Sequence, residues 1–353
     1  MVTRAFYRWP SKSPGDGGRR FALSRRALLA SAFAGLLEAQ KAEVSGFDLS
    51  LLDQPLTPVE LFFVREHFPA PAVSAAGWKL SLSGAVAAPI EISYEDLAER
   101  PRRKLAVTLE CAENPVGGGL VSHAEWSGLS LASVIESTHP AADARFVRLS
   151  GADGFARTIP IEKAMHPDTL VVNQMNGEKL PANHGFPLRA LIPGWYGMDS
   201  IKWLRRVDVL PAAEPGQGYE RQVRSLLAGV RTSGPVTAMQ VKSAFSRPVD
   251  GAILTRRRFT IRGAAWAGEN RVRQVEVSTD GGKKWTGARL DSEASPYAWV
   301  CWSYDWRISS AGPYDLSVRA TDDQGRQQPV ERVSGRADDY ELNIPQTIRV
   351  TLT

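Results

Sequence analysis

The chain has 353 residues, 43% of them hydrophobic, and a formal net charge of +5 at pH 7. That length exceeds one ordinary hydrophobic core and predicts two domains plus a leader, and no run nears the roughly 20 apolar residues of a membrane-spanning helix, so a soluble protein without an integral span is expected. The seven bases and two acids among residues 1 to 40 account for the whole charge, and the neutral remainder offers no electrostatic footprint for nucleic acid.

In the leader, Ser24-Arg25-Arg26-Ala27-Leu28-Leu29 precedes a short apolar run from Ala27 to Leu37. It resembles a twin-arginine export signal with leucine where phenylalanine is more usual, and no clean A-x-A cleavage site follows. The expectation is an export leader over residues 1 to 42 and a periplasmic protein; a disordered basic tail is the other reading. In that compartment Cys111 and Cys301, the two cysteines, can form a disulfide, unless Cys111 binds a metal.

Residues 47 to 71 read FDLSLLDQPLTPVELFFVREHFPAP, with prolines limiting a strand or turn over Leu61 to Val64. Arg65 follows, and His67 lies two positions on; by themselves they read as a solvated pair. Trp78 to Val86 alternates as a strand, and Ile92 to Glu99 reads as a short helix with Ser93 as its N-cap. The basic triplet Arg102, Arg103 and Lys104 leads into a predicted strand over Lys104 to Leu109, half-buried by its period-two pattern, with Cys111 at its end. Asn114-Pro115 and Gly117 to Gly119 then let the backbone pass close to a bulky group. On pattern alone, Cys111 reads first as a small core residue.

Further on, Trp126 to Glu136 is predicted helical, Phe146 to Ser150 a strand, Gly151-Ala152-Asp153-Gly154 a turn, residues 161 to 166 a helix, and Met175-Asn176-Gly177-Glu178 a turn. Residues 211 to 235 are predicted to be a linker from their prolines and glycines. Beyond it, strands are predicted over Phe259 to Ala265, Val272 to Ser278, Tyr297 to Ser303, Tyr314 to Ala320 and Thr347 to Leu352, with a hairpin at Asp280-Gly281-Gly282. This predicts an immunoglobulin-like β-sandwich over residues 236 to 353. Trp266, Trp285, Trp299, Trp302 and Trp306 are expected in its core and interfaces, with Cys301 buried and inert.

Four segments together, FFVREHFPAP at 62 to 71, the Cys111 stretch, HGFPLRALIPGWYGMDSIKWLRRVDV at 184 to 209 and STDGGKKW at 278 to 285, resemble the sulfite oxidase family of molybdopterin enzymes. The resemblance implies an α+β chain: a mixed α/β molybdopterin domain over residues 47 to 210, then the sandwich as a dimerisation domain, giving a homodimer. It implies that Cys111 is the single protein ligand of molybdenum in a molybdenum-molybdopterin cofactor, with Arg65 lining the substrate pocket. Phe62, Phe63, Val64, Arg65 and Glu66 are implied cofactor contacts, Glu66 standing where many relatives have asparagine. Asp153, His184, Arg189 and Lys202 are implied to bind the pterin cofactor, as are Ser200 and Ile201 through backbone groups. Acquiring a buried cofactor before leaving the cytoplasm suits export in the folded state.

No G-x-G-x-x-G follows a strand, and there is no P-loop, no H-E-x-x-H and no C-x-x-C-H. Electrons therefore have to leave through a separate electron-transfer protein such as a cytochrome c. The resemblance implies oxygen-atom transfer to a small oxyanion, with sulfite the leading substrate. A reductase acting on a sulfoxide or similar oxide is the alternative, and a non-catalytic interaction protein with a vestigial cofactor domain a second. Two departures bear on the substrate. CAENPVGGG lacks the basic residue that animal and plant sulfite oxidases carry after C-A-G-N, and the family's pocket tyrosine has Tyr219 as its nearest candidate.

Overall fold

The computed structural model describes residues 43–100, 102–213, 219–225 and 229–353, so the leader expectation lies outside the described residues. Two five-stranded sheets form the first half. One runs Glu178–Lys179, Leu170–Met175, Val121–Ser130, Arg103–Glu110, with Arg189–Leu191 also pairing Leu170–Met175. The other runs Ile90–Ser93, Lys79–Gly84, Leu204–Leu210, Phe146–Gly151, Ala156–Pro160. Alternation along Lys79–Gly84 buries Leu80 and Leu82, which join Val147, Leu149, Val207 and Val209 in one core closed by Leu131, Val134 and Ile135. Burying each such side chain is worth roughly 1.5–3 kcal/mol.

Helix is scarce. The α-helices among the described residues are Tyr94–Glu99, Leu131–Glu136 and Ile161–Ala164, so the expected mixed α/β domain is strand-rich. Ser93 caps the first of them, its side chain accepting from Asp96 N, as its position predicts. The predicted helix from Trp126 starts only at Leu131, because Trp126 to Ser130 continue a strand paired with Leu170–Met175. Gly128 permits this pairing, since a Cβ there would meet the Val171 carbonyl.

Within the expected linker, Glu220–Ser225 and Gly229–Pro235 pair antiparallel. Arg221 ties this pair to Glu341 through two bonds of 2.7 Å.

The C-terminal half is a sandwich of two sheets sharing one core. The first runs Lys242–Arg247, Arg258–Trp266, Val300–Arg307, Arg289–Leu290; the second runs Ile253–Leu254, Gln346–Leu352, Gly312–Asp322, Val272–Ser278, Thr286–Gly287. The turn at Asp280 joins Val272–Ser278 to Thr286–Gly287 as a hairpin. The strand expected from Tyr297 begins at Val300, since Tyr297 takes φ 66°, in the left-handed region that no strand accommodates. Trp302 and Trp306 fill the core, whereas Trp266 and Trp299 pack with Phe47, Leu49 and Val121 and join the two halves. Trp285 is half-buried beneath Arg319, at 4.2 Å. Cys301 is a free, half-buried thiol in Val300–Arg307, less enclosed than expected, and Cys111 is also free.

Candidate active site

Arg103–Glu110 carries the chain to Cys111, but its end is not half-buried as alternation predicts. Val107, Thr108, Leu109 and Glu110 are all buried, because the sandwich covers the edge of this strand. Thr108 N donates to the Tyr297 carbonyl at 2.8 Å, and Trp299 N donates to Thr108 Oγ1 at 2.7 Å. An otherwise open sheet edge is thereby satisfied.

Cys111 follows in a turn closed by Asn114 N on the Cys111 carbonyl at 2.9 Å, while Cys111 N donates to the Leu120 carbonyl. The glycines beyond it make room for the protein's own chain: a Cβ on Gly119 would collide with the Phe47 carbonyl, and residues 117 to 119 do not line the cleft. Burial pushes the Cys111 thiol up, with the Glu113 charge acting the same way and Arg65 opposing it.

Cys111 opens into a cleft enclosing about 720 Å³, its open mouth included. Phe62, Phe63, Arg65, Glu66, Asp153, Arg189, Ser200, Ile201 and Lys202 meet there from distant parts of the chain. Val64 and His184 do not line it. They line an adjoining cavity with Phe62, whose ring stands edge-on to His184 at 5.4 Å. The Ser200 hydroxyl accepts from Ile192 N, while the Ser200 carbonyl accepts from Arg189 Nε. Asp153 is held in its turn by Phe155 N at 3.1 Å, and burial pushes its carboxyl up.

Sequence reasoning gave the cleft residues His67 and Phe155 no role and offered Tyr219 only as the nearest candidate for the family's pocket tyrosine. His67 and Tyr219 share a hydrogen bond of 2.5 Å at Nε2 and stack at 5.2 Å, and Phe155 packs against His67 at 4.5 Å. Tyr219 takes φ 51°, a conformation that costs a non-glycine residue energy and that its neighbours hold in place. The Arg157 guanidinium lies over its ring at 5.6 Å. Burial, then the Cys111 and Glu113 charges, push the Tyr219 hydroxyl up and keep it protonated. A tyrosine 154 positions from Arg65 is a contact that no local pattern announces.

Residues 67–218 match the oxidoreductase molybdopterin binding domain, and residues 234–335 match the Mo-co oxidoreductase dimerisation domain. Sulfite oxidase of Gallus gallus is 32% identical over 317 residues, covering 79% of this chain and 69% of that protein. The chain belongs to the sulfite oxidase family of molybdopterin oxidoreductases. Mitochondrial sulfite oxidase of Homo sapiens is also 32% identical, and this chain spans 58% of its length. The crystal structure of the sulfane dehydrogenase SoxCD from Paracoccus pantotrophus superimposes with a TM-score of 0.79 at 26% identity, covering 93% of this chain and 92% of that one. As a member of the family, the chain is a molybdenum-cofactor oxidoreductase.

The side chains present fit such a group. Arg189 is buried, and among the described residues no carboxylate pairs with it. It donates to the carbonyls of Ser200 and His184, and burial lowers it to about 9. Lys202 donates to the Asn183 carbonyl at 2.6 Å and lies 3.5 Å from Glu66 Oε1; burial, then Arg189, lowers it to about 8. His184 is pushed down to about 3 by burial and then by Arg189 and Lys202, and its buried Nδ1 has no hydrogen-bond partner. Arg189 and Lys202 are a donor set for a phosphate, and burying cations without an anion is costly. Arg65 Nε is likewise buried without a partner. Among the described residues no helix is long and apolar enough to cross a membrane.

Proposed function

We propose that this enzyme oxidises sulfite to sulfate, taking an oxygen from water and releasing two protons and two electrons to an external electron-transfer protein such as a cytochrome c. The observation that carries the reading is that Arg65 and the Cys111 thiol line one cleft. The sulfite oxidases among its relatives support it.

The bound cofactor supplies the two-electron oxygen-atom chemistry. Cys111 would give the metal its one protein thiolate. Phe62, Phe63, Val64, Glu66 and Asp153 would pack against or bond the pterin, while His184, Arg189, Lys202 and the backbone of Ser200 and Ile201 would hold its phosphate end. Arg65 orients the sulfite oxygens and offsets the negative charge they already carry. Tyr219 and His67, hydrogen-bonded at the mouth, sit where a proton leaving the cleft meets solvent.

The C-terminal sandwich, immunoglobulin-like in our reading, pairs two subunits, and Arg25-Arg26 direct export to the periplasm. The deciding experiment is the assay of metal-loaded protein with sulfite and cytochrome c. Full molybdenum occupancy with no electron release from sulfite would falsify the reading. A second reading, oxidation of a sulfane sulfur, is favoured by the likeness to SoxCD, and the same assay with a sulfane donor separates the two.

A further inference from the structure

Arg65, which the reading above assigns to the substrate oxyanion, already has an anion on it. Its Nη2 donates to Glu113 Oε2 at 2.8 Å, and the two side chains are about a third exposed, at 32% and 37%. Glu113 is held two residues beyond Cys111 by a turn that Asn114 fastens from both sides. Asn114 Nδ2 donates to Glu110 Oε1 at 2.9 Å, and Asn114 Oδ1 accepts from Leu120 N at 3.0 Å. The carboxylate therefore reaches Arg65 from a braced loop and not from a mobile one.

The other cations in and around the cleft do not make up for this. Arg157 pairs with the buried Asp199 at 2.8 Å, Lys202 faces Glu66, and Arg189 is turned inward onto backbone carbonyls. His67 is pushed down by burial and by Arg65, so it adds no charge at neutral pH. Val116 and Pro115, further along the Cys111 loop, bring no base. A dianion arriving at this mouth meets a cation whose field is cancelled at contact distance.

We propose that Glu113 is an internal competitor for the Arg65 guanidinium, which an oxyanion must displace, and so a specificity-determining residue that weakens the hold on small free oxyanions. The inference rests on the reading that substrate binds at Arg65. Its consequence is that this enzyme favours a high sulfite concentration or a sulfur substrate anchored by more than its charge. A partly exposed ion pair is worth up to about 1 kcal/mol, so its removal is expected to tighten anion binding roughly fivefold, or more as the full charge is restored.

The test is calorimetric titration of the metal-loaded enzyme with sulfate, which binds without turnover. Glu113→Gln should tighten sulfate roughly fivefold to tenfold, and the gain should vanish when Arg65→Gln is added. The apparent KM for sulfite should fall by the same factor. Sulfate affinity unchanged or weakened in Glu113→Gln, at equal molybdenum content, overturns the proposal, as does failure of both proteins to bind sulfate. Tighter sulfate in an enzyme that leaves sulfite untouched upholds the role of Glu113 and sinks sulfite oxidation, so the two failures are distinguishable.

Discussion

Lys242, on the first strand of the sandwich, donates from Nζ to Glu110 Oε1 at 2.6 Å, and Glu110 is the residue that delivers Cys111. The pair is buried, with side chains 5% and 0% exposed, and Trp266 Nε1 donates to the other carboxylate oxygen at 2.9 Å. A charge from the second half of the chain thus fixes the strand end on which the metal ligand stands. Breaking such a pair strands a charge in the interior, and Lys242→Met is expected to cost about 3–5 kcal/mol. Pairing it with Glu110→Gln should recover part of that loss, because a neutral amide still accepts from Trp266. Denaturant unfolding of the two single variants and the double checks it; strictly additive losses would mean the two residues are not coupled.

Cys111→Ser nearly conserves volume, so it separates a ligand from a core filler. As a filler, the hydroxyl costs about 1–3 kcal/mol and leaves metal and turnover intact. As a ligand, a soft thiolate is replaced by a hard, weakly acidic oxygen. The variant should keep cofactor in part, through His184, Arg189 and Lys202, and lose turnover by orders of magnitude. Molybdenum assay beside activity decides, and near wild-type turnover removes Cys111 from the metal.

Acid should destabilise the fold through His123. Its Nδ1 bonds Thr108 Oγ1 at 2.9 Å, its ring stacks on Trp299, and burial pushes it from 6.5 down to about 4. The folded chain accepts only the neutral ring, so nothing is lost above pH 6.5. Between 6.5 and about 4 the unfolded chain binds a proton that the folded one refuses, and stability falls by up to about 1.4 kcal/mol per pH unit. His123→Gln should make unfolding free energy less steep in pH over that window, by about one proton. An unchanged slope would place the acid sensitivity elsewhere.

The sandwich is expected to pair subunits. Sedimentation at micromolar concentration should give twice the chain mass, and a clean monomer would refute that role.

Export is expected to depend on Arg25 and Arg26. Replacing both with lysine should trap the precursor in the cytoplasm. Periplasmic accumulation unaffected by the change would rule out the twin-arginine route.

Local chemistry made much of this chain legible from its residues: a strand running into Cys111, the Ser93 cap, the turn at Asn176-Gly177, the hairpin at Asp280 and a C-terminal run of short strands. These follow from backbone preference and side-chain period, which neighbours in sequence set. The stretch from Trp126 to Ser130 misleads, because pairing with the distant strand Leu170–Met175 outweighs its local pattern. Only tertiary structure decided that the sandwich closes over the Cys111 strand, that Lys242 reaches Glu110, that Tyr219 stands over His67, and that Glu113 takes the guanidinium of Arg65. Each of these joins side chains whose separation along the chain carries no periodic signal. Their energies come from burial and Coulomb attraction, which depend on distance in space alone.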